Sequence, residues 1–494
     1  MNKRKSTLST FKPRTRQVDP ATRIMTNGIN ETNVKAPKIV IIGAGSAIFG
    51  LGSLATLMQH EHLKGAHIAL CDINEQGLDM MTRLAHTMNT AWDTQATITS
   101  SVNRRDLLHD ADFVILSIQA GQRETMWERD WQIPLKHGIR QPYAENGGPG
   151  SFAHMARNLP PVLAIARDME KLCPDAYCLN LVNPLIRLTT AIHRYTTIKV
   201  IGLCHQLLWG YAMAATILAD RFEITIPDNF HVHTDAENMK YFIPVAQSAL
   251  THLDIRAAGT NHFSWVYDIR DRHTGEDLYP ILVDRWLNDP AFQHFEPLSR
   301  EMLDIYGMMP TAGDSHMCEF LSCVSDNRTK PWEKYELKLQ NWGGNRQRRA
   351  YREQLARDIV AGRLDVDGLR DVWNYEMLDE GLPDLIGALH YNQSYYHQQL
   401  NVPNQGFIPN LPDDAIVEVP GVVSALGVQG LSFSALPAPI AEMCRRELQL
   451  SSMYVDAAYH GDRQLALQAM LLDPMVTDID TARLTLRDLL RANQ

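Results

Sequence analysis

Lys38-Ile-Val-Ile-Ile-Gly-Ala-Gly-Ser46 decides the fold. A short β-branched run leads into Gly43-x-Gly45-Ser46 and then into an apolar, helix-compatible segment, Ala47 to Met58. A parallel α/β fold presents backbone N–H groups and a helix N-terminus to a pyrophosphate in this way. Gly43 allows the tight turn, and Gly45 lets phosphates approach the main chain. Ile48 stands at the third glycine position of the usual fingerprint, so the match is partial. A second apolar strand, His67-Ile-Ala-Leu-Cys-Asp72, ends in an acid 29 residues after Gly43, where a carboxylate takes the ribose hydroxyls of an adenosine. No basic residue directly follows Asp72, which favours NAD over NADP. The plainer reading is an ordinary βαβ turn, with Ser46 capping the helix and Asp72 exposed.

Working outward, Ala111 to Gln119 reads as a third buried parallel strand, and Ala176 to Val182 and Lys199 to Cys204 as two more. Asn158 to Cys173 has helical spacing. Strands alternating with helices to about residue 206 describe a Rossmann-type, doubly wound parallel sheet over residues 37–206. Residues 207–494 change to long helices with interspersed strands, a second, mostly helical α+β domain. There Pro280 to Asp304, Trp342 to Ala361 and Pro437 to Met470 read as helical, Ala415 to Val423 as a strand, and Asn401 to Asp414 as loop. The apolar face of the last helical stretch suits a subunit interface or an internal core equally.

Composition sets the class. Of 494 residues, 45% are hydrophobic and 21% charged, as in globular proteins, and no apolar run is long enough to span a membrane. The net charge is −10, yet the first 38 residues carry about +7, leaving about −17 on the remainder. Residues 1–36 read as a basic, disordered or expression-related leader, or as an arm for an acidic partner. No apolar segment follows its basic residues, so it is not a secretory signal. An acidic body argues against nucleic acid as the main ligand. Seven scattered cysteines fit reduced thiols in a cytoplasmic protein.

In an open α/β sheet, ligands collect outside the carboxyl ends of the strands. Five polar clusters qualify: Asn183-Pro184, Cys204-His205, Glu145-Asn-Gly-Gly-Pro-Gly150, Asn261-His262 and Gly313-Asp314-Ser-His316. A soft thiolate and an imidazole suit Mn²⁺, Fe²⁺, Co²⁺ or Zn²⁺ with positions left open for substrate oxygens. Each cluster also has a bland counterpart. Cys204 and His262 read equally as packed core residues, Asp314 as a helix cap, Asn183-Pro184 as a turn and Glu145 as a solvated charge.

Taken together, the chain resembles glycoside hydrolase family 4. The matching stretches are Ile41 to Ser46, Cys71-Asp-Ile-Asn74, Glu145-x-Gly-Gly-Pro-Gly150, Arg167 to Asp175, Asn180-x-x-Asn-Pro184, Gly202-Leu-Cys-His205, Gly259-x-Asn-His262 and Tyr306-Gly-x-x-Pro-x-x-Gly-Asp314. Ile408 to Pro420 and Gly461-Asp-Arg463 continue the match, which spans about residues 37–475. The resemblance implies a lactate/malate dehydrogenase-like Rossmann domain, a tightly held NAD on Gly43, Gly45, Ser46 and Asp72, and a divalent metal, usually Mn²⁺, on Cys204 and His262. It further implies a homodimer or homotetramer acting on a small carbohydrate. By position Asn183 contacts sugar hydroxyls, Asp314 is the catalytic base and Glu145 the candidate acid. The implied chemistry is oxidation of the sugar at C3 by NAD, removal of the C2 proton, elimination of the C1 substituent, addition of water and return of the hydride. Such NAD-dependent hydrolysis stands outside the two-carboxylate scheme of most glycosidases.

Substrate choice follows the residues after Cys204. His205 and Gln206 are substrate-binding candidates; members of the family that the chain resembles differ by substrate just after Cys-His, at the position of Gln206, which matches none of their residues but is closest in size to the Glu of galacturonidases. His316 and the cationic run Arg346 to Arg352 could meet a substrate carboxylate, although the run also reads as a solvated helix face. These point to an α-linked uronide, an α-galacturonide or α-glucuronide. A neutral α-galactosidase or α-glucosidase, an NAD-dependent 2-hydroxy acid dehydrogenase and a non-catalytic NAD-binding regulator are the other readings.

Overall fold

In β1 (Lys38–Ile42), alternate side chains enter two different cores. Ile39 and Ile41 pack into one apolar cluster, and Val40 and Ile42 into another on the opposite sheet face. A strand buried on both faces must be apolar throughout, which is why this run is continuous. Burying each such side chain contributes about 1.5–3 kcal/mol. The computed structural model describes residues 35–46, 49–228, 230–232, 236–367 and 381–493. Most of the basic leader and Ile48 lie outside the described residues.

The remaining strands are β2 (His67–Cys71), β3 (Thr97–Ser101), β4 (Phe113–Leu116), β5 (Tyr177–Asn180), β6 (Lys199–Gly202), β7 (Leu253–Thr260), β8 (Phe263–Asp271), β9 (Tyr395–Pro403), β10 (Ile416–Ser424) and β11 (Gly427–Gly430). The first six are parallel in the order β3-β2-β1-β4-β5-β6. Order reverses between β1 and β4, which opens the crevice where such sheets take ligands. The sheet then continues through antiparallel partners, β6-β9-β10-β7-β8, with β11 on β10. Ala36–Gln494 form one compact unit, so one sheet carries residues from both sides of position 206.

Several elements depart from the sequence reading. The strand expected third is β4, because Thr97–Ser101 precedes it as a part-exposed edge strand with a single large apolar residue. The helix expected from Asn158 begins at Gly148 and runs to Leu172, so the glycine-rich loop opens directly into its first turn. Pro280 to Asp304 is two helices, Tyr279–Asn288 and Pro297–Tyr306, each with proline in its first turn. Pro437 to Met470 divides into Ala438–His460 and Arg463–Leu472 at Gly461, whose φ of 69° is a left-handed helix stop. The Asn401 loop begins later than expected, since Asn401–Pro403 finish β9. Among the described residues, no helix is long and apolar enough to cross a membrane.

Candidate active site

The turn after β1 is built around two glycines with different duties. Gly43 has a φ of 96°, and its N–H and that of Ala44 both donate to the Cys71 carbonyl at 2.9 and 3.1 Å. A Cβ on Gly43 would lie 2.2 Å from the Ser117 carbonyl oxygen. A Cβ on Gly45 would instead lie 2.9 Å from the Asp72 carboxylate, which accepts from Gly45 N at 2.9 Å and from Asn74 N at 2.8 Å. Asp72 is thereby fixed at the end of β2 facing the turn. Gly43, Gly45, Ser46 and Asp72 all line one cavity of about 900 Å³, which passes Ser117 to Gly121 and reaches His154, Glu145 and Asn183. Its walls are the carboxyl ends of β1, β2, β4 and β5. The volume and the bare-backbone cradle fit a dinucleotide.

At the far end Glu145, its side chain 13% exposed, lies 3.7 Å from Arg123. Burial raises its pKa; Arg123 and His316 oppose the rise, Glu319 adds to it, and a hydrogen bond from Asn183 opposes it. His154 is kept neutral, its pKa held well down first by burial and then by Arg157 and Arg123. It donates to the Asn183 backbone and so fixes that residue's place in the cavity wall.

The two residues after Glu145 turn to a different group. The Asn146 side chain lies 3.0 Å from His262 Nδ1, and the N–H groups of Asn146 and Gly147 reach Glu319 Oε2 at 3.4 and 3.1 Å. His262 Nε2 is 3.4 Å from Cys204 Sγ, and potential ligand atoms of His262, His316 and Glu319 lie within 4.8 Å of one another. His316 Nδ1 is 3.1 Å from Glu319 Oε1. Burial, followed by the charges of His316 and His205, holds the His262 pKa well down. A neutral imidazole beside a thiol, a second imidazole and a carboxylate is a donor set that fits a divalent transition-metal ion. Asn146 Nδ2 donates to His262 Nδ1, which fixes the ring with Nε2 facing Cys204 Sγ.

Thus the fold brings Cys204, His262 and His316 together, with Glu145 and Asn183 immediately beside them. Three other candidate residues are engaged by the protein itself. Asp314 is 1% exposed, and its carboxylate accepts from Leu298 N at 2.9 Å and Ser299 N at 2.7 Å, capping the helix Pro297–Tyr306. Burial and then the neighbouring Glu296 raise its pKa. Gln206 is 1% exposed and bonded within the protein to Thr311, while His205 stacks on Trp209 with ring centroids 5.3 Å apart. Of the cationic run, Arg346 and Arg349 line the cavity, paired with Glu128 and Glu124 at 2.6 and 2.9 Å. Residues not singled out from the sequence are Asn146, Arg123, His154 and Glu319. Asn146 lies inside the glycine-rich loop, and Glu319 follows His316 by three positions.

The chain belongs to family 4 of the glycosyl hydrolases: the family model matches residues 38–218 and the model of its C-terminal domain residues 257–476. It is accordingly an enzyme acting on glycosyl compounds. It is 29% identical to an alpha-glucosidase of Erwinia rhapontici over 89% of this chain and 94% of that one. It is 27% identical to an alpha-galacturonidase of Bacillus subtilis over 89% and 93%. The fold matches a 6-phospho-beta glucosidase from Thermotoga maritima, solved with manganese, NAD⁺ and glucose-6-phosphate, at a TM-score of 0.72 and 20% identity, covering 92% of this chain and 98% of that one.

Proposed function

We propose that the protein hydrolyses a terminal α-linked glycoside, an α-galacturonide or α-glucuronide, using NAD held by Gly43, Gly45, Ser46 and Asp72. A divalent metal, Mn²⁺ by analogy with the Thermotoga structure, is held by Cys204 and His262, with His316 and Glu319 beside them. One observation carries this reading. Glu145 lines the dinucleotide cavity while the next two residues contact His262 and Glu319, so cavity and donor cluster share one loop.

When bound, the dinucleotide takes up and returns a hydride, and the cation acts as a Lewis acid toward sugar oxygens. Asn183 orients sugar hydroxyls at the cavity end. Glu145 protonates the departing oxygen, and the burial that raises its pKa favours its protonated form. By family position Asp314 would be the base for the C2 proton, its proton affinity increased by burial and Glu296; in the fold its carboxylate is engaged by the Leu298 and Ser299 amides. Arg123, Arg346 and Arg349 on the cavity wall favour an anionic sugar. Each of these arginines is already paired with a glutamate, which favours a neutral α-hexoside as the second reading.

Hydrolysis of a panel of α- and β-linked glucosides, galactosides, uronides and their 6-phosphates, with NAD⁺ and Mn²⁺ and then with chelator, tests this directly. Uronide cleavage that chelator stops is the expected result. Net NADH formation from a 2-hydroxy acid, without glycoside cleavage, overturns it. Seven cysteines outside any disulfide, with Cys204 as a metal ligand, support a reducing, cytoplasmic setting. Exposed Leu471, Leu472, Ile479 and Leu484 near the C-terminus support a homodimer or homotetramer, which light scattering measures.

A further inference from the structure

Behind the donor cluster lies a buried carboxylate to which the chemistry above assigns no role. Glu418 on β10 is 2% exposed and sits in register with Gly259 of β7 on one side and Asn401 of β9 on the other. Its Oε2 accepts from Asn261 Nδ2 at 2.7 Å and Asn401 Nδ2 at 3.3 Å, and its Oε1 accepts from Ser264 Oγ at 2.8 Å. The Gln206 amide orientation that satisfies every neighbour adds a fourth bond, Nε2 to Glu418 Oε1 at 3.2 Å, while its oxygen accepts from Ala312 N at 3.0 Å. Four donors converging on one buried carboxylate satisfy it fully.

The donors come from informative places. Asn261 and His262 form the two-residue turn between β7 and β8, and His262 has a φ of 63°, a conformation that non-glycine residues adopt only when their surroundings impose it. The tie from Asn261 to Glu418 holds this turn, and with it the direction in which the His262 ring leaves the backbone. Gln206 stands two residues after Cys204. One carboxylate therefore grips the chain next to each of the two residues whose Sγ and Nε2 lie 3.4 Å apart.

We propose that Glu418 is a positioning residue for the metal site, setting the Cys204–His262 geometry through Asn261 and Gln206; this rests on the reading that Cys204 and His262 hold the metal. Gln206, on this view, answers to Glu418 rather than to the sugar. Co²⁺ titration tests it, because thiolate ligation gives a near-ultraviolet charge-transfer band. Glu418→Gln keeps the volume but turns an N–H₂ group toward donors. Its Co²⁺ affinity is expected to fall 10–100-fold with a weakened thiolate band, while NAD⁺ affinity stays within twofold. Unchanged Co²⁺ affinity and spectrum overturn the proposal. So does a parallel loss of NAD⁺ and Co²⁺ binding, which marks a general structural role. If Glu418→Gln does not fold, Asn261→Ala decides, since it cuts the tie to the turn and leaves the carboxylate its other donors. The same selective loss supports the proposal, and parental affinity refutes it. A parent protein that binds no Co²⁺ through Cys204 defeats the metal assignment itself, whereas parent-like variants of a Co²⁺-binding parent defeat only this inference.

Discussion

Gly45→Ala isolates the dinucleotide cradle from the rest of the fold. Gly45 does not occupy the left-handed region, so alanine is allowed by the backbone and the lesion is one of contact alone. The added Cβ would stand 2.9 Å from both Cγ and Oδ2 of Asp72, where ordinary contact begins near 3.4 Å, so the carboxylate must retreat by about 0.5 Å. That stretches the 2.9 Å bond from Gly45 N to the edge of useful geometry and draws Asp72 away from a bound ribose. A hydrogen bond to a charged group contributes about 1.5–3 kcal/mol. Loss of about 2 kcal/mol corresponds to a roughly 30-fold rise in the NAD⁺ dissociation constant. Isothermal titration with NAD⁺ measures it, and unfolding followed in parallel should show a midpoint lowered only slightly, by the stretched Gly45–Asp72 bond. Gly43→Ala gives the contrast: its Cβ would meet the Ser117 carbonyl at 2.2 Å, so it should lower the melting temperature as well. A Gly45→Ala protein binding NAD⁺ within twofold of the parent would refute the assignment of this turn and Asp72 to the cofactor.

Cys204→Ser exchanges the soft ligand for a hard one and should reduce metal-supported turnover by 100-fold or more while leaving NAD⁺ affinity nearly intact; parental activity removes Cys204 from the site. For Glu145 acting as a general acid with a raised pKa, turnover should be present at low pH and decline as pH rises through that pKa. Glu145→Gln should abolish that limb and slow poor leaving groups by about 10²–10⁴ while sparing nitrophenyl substrates, and equal slowing of both excludes the acid role. Glu447, buried and raised to about 7, holds its proton in the fold to higher pH than in the unfolded chain, where it ionises at about 4.3, so its contribution to stability is complete below about 4.3 and is lost as pH rises toward 7. Glu447→Gln should remove roughly 4 kcal/mol of stability decline across that window in denaturant titrations; an unaltered slope contradicts the assignment.

The parallel half of the sheet was legible because strands buried on both faces leave continuous apolar runs, as in Ile39 to Ile42. Thr97–Ser101 escaped because an edge strand needs no such run. Of the antiparallel strands, β10 reads from the sequence as Ala415 to Val423, while β7 escaped: Leu253-Asp-Ile-Arg mixes buried and exposed positions, and Gly259 later in the strand pairs with Glu418, far along the chain. At the site, Cys204, His262 and His316 could be found because their residue types announce metal chemistry. Asn146 carries no such signal; its part becomes visible only when the fold sets it 3.0 Å from an imidazole. Asp314 shows the converse. Sequence position suggested a base or a cap of its own helix, and the fold has it capping a different helix, Pro297–Tyr306.

Glu145, Asn146 and Gly147 face three partners at consecutive positions: an arginine on the cavity wall, an imidazole and a glutamate. Such a stretch has no slack. Inserting or deleting one residue would hand each partner its neighbour's chemistry, so the loop can diversify only by exchange in place, never by change of length. Substrate range in descendants of this chain should therefore broaden from the cavity walls, while these three positions keep their spacing.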